Sequence, residues 1–295
     1  MDADSGGVRT VGEAVGWAAA LLRGANVDSP RLAAEVLLAH VLQWRRSRLV
    51  ANADEPLLAD LQARFEELVR RHAGGEPLQY LTGEREFYGL RFRVTPAVLI
   101  PRPETEILVE RGVELARAHA GNVRFADVGT GSGCIALALA HEVPGARGWA
   151  TDLSSAALEL ARDNARRLGV EARVGFVCCD LLAGFPPRPL FDLILSNPPY
   201  ISGPEMEELA AGVKDHEPEL ALCGGESGIE AYRRLIPQAA ARLLAGGRLL
   251  LEIGAGQEPA VRGLLWQQGL LLEVAVRDLQ GIPRCLVARQ PEIDG

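Results

Sequence analysis

Apolar residues recur at helical spacing through the first quarter of the chain. Val11–Leu22 carries one such face. A second run, with Leu32, Val36, Leu37, Ala39 and Val41, follows Ser29-Pro30; serine is a good helix N-cap and proline suits the first helical position. A third, from about Leu57 to Arg71, sets Leu58, Leu61, Phe65, Leu68 and Val69 on one side and stops at Gly74-Gly75. Residues 1–75 are therefore expected to form a small helical bundle. Residues 76–100 read as a linker with a β-hairpin, because aromatic and β-branched residues flank Gly89 in Glu84–Val94. A helix opening near Pro103 is expected over 104–119.

From Val123 the pattern changes. Strands are expected at 123–128, 147–151, 173–178, 191–196, 248–253, 271–276 and 284–288. Helices are expected at 134–142, 154–168, 230–244 and 258–268. Alternating β and α units imply a mostly parallel sheet covered on both faces. Only a short turn at Gln280-Gly281 separates the last two strands, which makes them antiparallel. Residues 101–295 are thus expected to be one α/β domain.

The remaining totals mostly exclude. The 295 residues are 48% hydrophobic and 24% charged, ordinary for a soluble globular protein of two domains. A formal net charge of -8 argues against a dedicated nucleic-acid binder; Arg45, Arg46 and Arg48 form the densest basic cluster. Five cysteines with no Cys-x-x-Cys pair suggest neither a disulfide framework nor a metal site, and reduced buried thiols are expected. Apolar runs such as Cys134–Ala140 fall short of the ~20 residues that span a bilayer. The acidic N-terminus lacks a signal pattern, so the expectation is a cytoplasmic protein; a monomer is the separate expectation, which composition does not decide.

Two constellations carry chemistry. Asp127-Val-Gly129-Thr-Gly131-Ser-Gly133 lies between a strand and a helix, where glycine permits a sharp turn and the close approach of a ligand. Asp152 ends the next strand, placed to accept from both hydroxyls of a ribose. The G-x-G-x-G spacing differs from the G-x-G-x-x-G of dinucleotide sites, where Cys134 would have to be glycine. Asn197-Pro198-Pro199-Tyr200 follows the strand 191–196, at the end where such folds bind ligands. The Asn197 side-chain carbonyl and the Pro198 backbone carbonyl can each accept a hydrogen from one NH2 group. Two prolines stiffen the turn, and Tyr200 can pack on a flat amide or base.

The glycine stretch resembles the S-adenosylmethionine loop of class I methyltransferases, and Asn-Pro-Pro-Tyr resembles the motif of enzymes that methylate amide or exocyclic nitrogens. Glu76-Pro-Leu-Gln-Tyr-Leu-Thr-Gly-Glu-Arg-Glu-Phe-Tyr-Gly89, Leu99-Ile-Pro-Arg-Pro-Glu-Thr-Glu106, Glu217-Pro-Glu-Leu-Ala-Leu222, Gly224-Gly-Glu-Ser-Gly228 and Asp278-Leu-Gln-Gly-Ile-Pro-Arg284 are similar to the HemK/PrmC family of protein-(glutamine-N5) methyltransferases. The resemblance covers about residues 10 to 289. It implies a Rossmann-like, seven-stranded, mostly parallel sheet with an antiparallel last strand, behind an N-terminal bundle that recognises the substrate. It implies transfer of a methyl group from S-adenosylmethionine, leaving S-adenosylhomocysteine, to the glutamine of a Gly-Gly-Gln loop on peptide chain release factors. It places the cofactor against Gly129, Thr130, Gly131, Ser132, Gly133, Asp152, Asp180, Leu181 and Asn197, with Asp180 near the adenine. Family members often carry an aromatic residue where this chain has Leu181. It gives catalysis to Asn197, Pro198 and Tyr200, and the substrate amide to Asn197, Pro198, Pro199 and Tyr200. Pro101–Thr105 matches a segment near the cofactor, and Glu217-Pro218 is expected to be structural.

No general base stands beside the motif in sequence; His216 reads as a surface or structural residue. Catalysis by positioning is expected, without a metal. Two other readings fit parts of the pattern. A nucleic-acid N-methyltransferase would use the same Asn-Pro-Pro-Tyr geometry but needs to hold a phosphate backbone. A cofactor-sensing adaptor without catalysis would not need Asn197–Tyr200 intact.

Overall fold

The computed structural model describes residues 8–119, 122–209 and 211–292. The chain forms two compact units, Met1–Gly83 with Ala211–His216, and Glu84–Ala210 with Glu217–Gly295.

The first unit contains helices α1 (Val11–Gly24), α2 (Pro30–Leu42), α3 (Arg46–Ala51), α4 (Ala59–Ala73) and α5 (Leu78–Thr82). A capping box starts α1: Thr10 Oγ1 accepts from Glu13 N at 3.3 Å, and Glu13 Oε2 accepts from Thr10 N at 2.8 Å. Ala18, Leu22, Leu37, Leu38, Phe65 and Val69 are sealed in its core. Two local expectations differ, and one element was not read from the sequence. Ser29 makes no side-chain cap and is left-handed, so Pro30 starts α2 by its fixed φ alone. Leu58 precedes α4 and is exposed, off the face that buries Phe65. The Arg45–Arg48 cluster belongs to α3, a helix too short to show a period, where Arg48 lies over the Trp44 ring.

The second unit begins with an antiparallel hairpin, β1 (Glu84–Phe87) and β2 (Leu90–Arg93), turned at Tyr88-Gly89 with φ positive at both. The hairpin, read from sequence as part of a linker, groups with this unit because Phe87 and Phe92 are buried in its core. Then come α6 (Thr105–Ala118), β3 (Arg124–Val128), α7 (Cys134–Glu142), β4 (Arg147–Asp152), α8 (Ser155–Arg167), β5 (Val174–Cys178) and β6 (Phe191–Ser196). After α9 (Gly203–Glu208) and α10 (Ala211–Lys214, grouped with the first unit) follow α11 (Glu219–Leu222), α12 (Glu230–Ala240), β7 (Leu243–Glu252), α13 (Glu258–Gln267), β8 (Leu271–Arg277) and β9 (Pro283–Arg289).

Among the described residues these build a seven-stranded sheet in the order β5-β4-β3-β6-β7-β9-β8. β3 to β7 pair in parallel, and the last strand, β9, is antiparallel to both neighbours. The expected helix over 230–244 is shorter. It ends at Ala240, because the Arg242 carbonyl accepts from both Leu190 and Phe191 and draws Leu243 into pairing with Phe191. The apolar run Cys134–Ala140 is buried throughout as α7. All five cysteines are free, but only Cys134 and Cys285 are buried; Cys178 is exposed and Cys179 and Cys223 are half-buried, so the expectation of five buried thiols is corrected. No helix among the described residues is long and apolar enough to cross a membrane.

Candidate functional site

The carboxyl ends of β3, β4, β5 and β6 carry most of the residues singled out from sequence. Past β3, Gly129, Gly131 and Gly133 all take left-handed φ, at 73°, 54° and 85°. Side chains rarely adopt that conformation, and a Cβ on Gly133 would meet Leu137 at 2.8 Å. Gly129 N and Thr130 N both donate to Thr151 O at 2.9 Å, which pins the loop to the end of β4. Asp127 sits under it, fully buried. Its Oδ2 accepts from Thr130 Oγ1 at 2.5 Å and from Ala136 N, in the first turn of α7, at 3.1 Å. Burial pushes its carboxyl up to about 7 against those two donors.

Asp152 ends β4 with both oxygens oriented. Oδ2 accepts from Gly131 N at 2.8 Å and Oδ1 from Ser154 N at 2.9 Å. Each oxygen keeps a lone pair for a further donor. A pocket of about 240 Å³ opens here, lined by Gly129, Gly131, Asp152, Asp180, Leu181, Asn197 and Pro199. Val98, Leu99, Leu153, Pro218 and Leu220 add apolar wall. Among the described residues Thr130, Ser132, Gly133, Pro198 and Tyr200 lie off that wall, and Asp180 is ion-paired to Arg234. Polar depth at Asp152, apolar walls and a floor without side chains suit a nucleoside carrying an aliphatic sulfonium arm.

The second motif is held from a distance. Asn197 Nδ2 donates to Thr105 Oγ1, at the start of α6, at 3.1 Å. Beyond Tyr200, Ile201 N donates to Leu222 O at 3.0 Å and Gly224 N to Ile201 O at 2.8 Å. A Cβ on Gly224 would lie 2.7 Å from Pro199 O, and one on Gly228 2.5 Å from Tyr200 O. Gln257 Nε2 donates to Tyr200 O at 2.8 Å and Gly228 O at 3.2 Å. Gly224–Gly228 is thus a backbone brace for Asn197–Tyr200. Glu217, buried, accepts from Ile100 N at 3.1 Å and pairs with Arg102 at 2.6 Å. That ion pair joins Leu99–Glu106 to Glu217–Leu222, two separate stretches that both line the pocket.

Sequence reasoning passed over Glu252 and Arg234. Glu252, at the end of β7, is 2% exposed, and burial pushes its carboxyl up to about 7. The signal was an acid inside the apolar run Leu249–Ile253. Burial first, then the nearby Glu252, pushes the Tyr200 phenol up to about 12, so it stays protonated. His216 is half-buried in the first unit, near Glu76.

The strand order, the antiparallel β9, the glycine loop after β3 and the acid ending β4 define a class I, Rossmann-like methyltransferase, the class that draws its methyl group from S-adenosylmethionine. Residues 104–213 match the family model described as methyltransferase small domain, and residues 13–83 the one described as PrmC N-terminal domain. A methyltransferase of known structure from Pyrococcus furiosus shares the fold, with a TM-score of 0.51 at 18% identity over 79% of this chain and 100% of its own. A release factor glutamine methyltransferase from Bradyrhizobium diazoefficiens is 46% identical over 275 residues, 92% of either chain. One from Moorella thermoacetica is 46% identical over 285 residues, 96% of this chain and 99% of its own length. The chain belongs to the release factor glutamine methyltransferase family.

Proposed function

We propose that this protein methylates the side-chain amide nitrogen, N5, of the glutamine in the Gly-Gly-Gln motif of peptide chain release factors. The observation that carries the reading is Asn197. It lines the pocket with its NH2 end turned onto Thr105, which leaves Oδ1 as the end that accepts.

S-adenosylmethionine, when bound, supplies an electrophilic methyl group on a sulfonium. Asp152, its oxygens aimed by Gly131 and Ser154, takes the ribose hydroxyls. Gly129, Thr130, Gly131, Ser132 and Gly133 shape the loop beneath, and Asp180 with Leu181 borders the far wall. The target nitrogen is a poor nucleophile because its lone pair is delocalised into the amide. Asn197 Oδ1 and the Pro198 carbonyl each accept one of its hydrogens, which orients the lone pair and stabilises positive charge growing on nitrogen. Methylation would exchange the cofactor's S–CH3 bond for an N–CH3 bond, leave S-adenosylhomocysteine, and release one of those two amide hydrogens as a proton to solvent. Pro199, without an N–H, adds no competing donor, and Tyr200 packs on the amide plane.

The helical bundle recognises the release factor, a role supported by its match to the family's N-terminal domain. We further place the enzyme in the cytoplasm, as a monomer. A net charge of -8 supports the absence of a stable hold on nucleic acid.

The test offers labelled S-adenosylmethionine with purified release factor and, in parallel, with mixed nucleic acid. Label on the factor alone is expected. Label on nucleic acid alone would replace this reading by an exocyclic-amine methyltransferase.

A further inference from the structure

The cofactor pocket has a second acid, and it too is aimed from within the protein. The strand order β5-β4-β3-β6 sets out the carboxyl edge in sequence, with Asp180 past β5, Asp152 on β4, the glycine loop past β3 and Asn197 past β6. Adjacent strands lie ~4.8 Å apart. A nucleoside whose ribose rests on Asp152 and whose methyl-bearing arm reaches toward Asn197 therefore has its base over the end of β5. Cys178 is level with Asp152 in the pairing of β4 with β5, and Cys179 N donates to Asp152 O at 3.0 Å, so Asp180 stands just beyond the ribose acid.

Helix α12 holds this end of the pocket. Arg234 Nη2 donates to Asp180 Oδ2, and Gln238 Oε1, one turn further along the helix, accepts from Leu182 N at 3.1 Å. Asp180 and Arg234 both line the pocket. With side chains 47% and 59% exposed, their ion pair adds little to the stability of the fold. Its effect is directional. Arginine only donates and a carboxylate only accepts. With Oδ2 engaged by Arg234, Oδ1 stays available to accept. Among the described residues no aromatic ring lines the pocket to hold a base by its face, so contact at the edge of the base carries the selectivity. The 6-amino group of adenine can donate to Oδ1, whereas a 6-oxo group would set oxygen against oxygen. We infer that Arg234 is a positioning residue for cofactor binding, fixing Asp180 with one oxygen toward the base and so making the site selective for a 6-aminopurine. This rests on the reading of the pocket as the S-adenosylmethionine site.

The experiment measures, by calorimetry, the affinities of S-adenosylhomocysteine and of S-inosylhomocysteine, in which a 6-oxo group replaces the 6-amino group. It compares the wild type, Arg234→Ala, Arg234→Lys, Asp180→Ala and the Arg234→Ala/Asp180→Ala pair, with thermal unfolding recorded for each. The wild type is expected to prefer the adenosyl ligand roughly tenfold. Arg234→Ala is expected to lose roughly tenfold in adenosyl affinity and to keep its inosyl affinity, so the preference collapses while the unfolding temperature stays put. Arg234→Lys keeps a donor and restores most of the preference. The pair binds the adenosyl ligand no worse than Asp180→Ala alone, because both changes remove one contact. A wild type without preference, equal losses for both ligands in Arg234→Ala, a lysine variant no better than the alanine one, or losses that multiply in the pair would each overturn the inference. Adenosyl binding that is tight in the wild type and unchanged in Arg234→Ala removes only the role of Arg234. A wild type that binds neither ligand removes the cofactor reading and this inference with it.

Discussion

The two halves of the pocket are built differently. The glycine loop is held by its immediate surroundings. Asp127, Thr130 and Ala136 lie within ten positions of each other, and Asp152 and Thr151 come from the adjacent strand. Asn197–Tyr200 is held by Thr105, by Leu222 to Gly228 and by Gln257, whose contacts to it span up to 92 positions. The cofactor half needs one strand-loop-helix unit and the strand beside it. The substrate half needs the whole sheet, with α6 and the chain after β6 in place, before Asn197 has a defined orientation.

That contrast separates the expected outcomes. The largest effect belongs to Asn197→Ala, which removes the acceptor. Turnover on release factor is expected to fall on the order of a hundred- to a thousandfold, while calorimetry finds cofactor affinity unchanged; near-normal turnover would remove Asn197 from catalysis. Asp152→Ala strikes the other half. Losing charge-assisted bonds to the ribose should weaken cofactor binding roughly ten- to a hundredfold, and unchanged affinity would take Asp152 out of the site. Gly228→Ala attacks the distant brace. Its φ of 76° and the 2.5 Å approach to Tyr200 O force the motif to shift. About a tenfold loss of turnover is expected, with cofactor affinity spared, and a matching loss of cofactor affinity would mean the halves are not separable.

The smallest effect is on stability. The Asp127 carboxyl is pushed up to about 7 from 3.8 by burial. The folded state thus favours its proton. The stability this confers is complete below the unfolded value of 3.8 and is lost as pH rises through about 7. Asp127→Asn should remove that component. Thermal unfolding of the variant is expected to drift less between those two pH values than that of the wild type, by roughly 5 °C. Parallel pH profiles would contradict the burial argument.

The same contrast explains what could be read in the sequence. Gly129–Gly133 and Asp152 stand out because a turn, its helix and the next strand end are neighbours along the chain. Asn197–Tyr200 stands out because Pro-Pro after a strand is a local signature. The supports of Asn197–Tyr200 do not show their role in any local pattern, although Leu99–Glu106 and Gly224–Gly228 stand out by family resemblance. Thr105 reads as part of a helix start, Gly224–Gly228 as a loop, and Glu252 as an interruption in an apolar strand. The register of β6 beside β7 sets Ser196 opposite Leu251, so that Glu252 ends level with the start of the motif, while Thr105 and Gly224–Gly228 reach it from a distant helix and loop. Ser29 and Leu58 show the converse. Both satisfy local rules for caps and periods, yet the backbone entering α2 and α4 turns each of them away from its expected role.

The most direct test of the account is to locate the methyl group. Release factor methylated by this enzyme, and a Gln→Ala version of its Gly-Gly-Gln loop treated in the same way, are digested and fragmented by mass spectrometry. The account predicts one added methyl on the side-chain nitrogen of that glutamine, and no methyl anywhere on the alanine version. A methyl on another residue, or equal methylation of the alanine version, would contradict it.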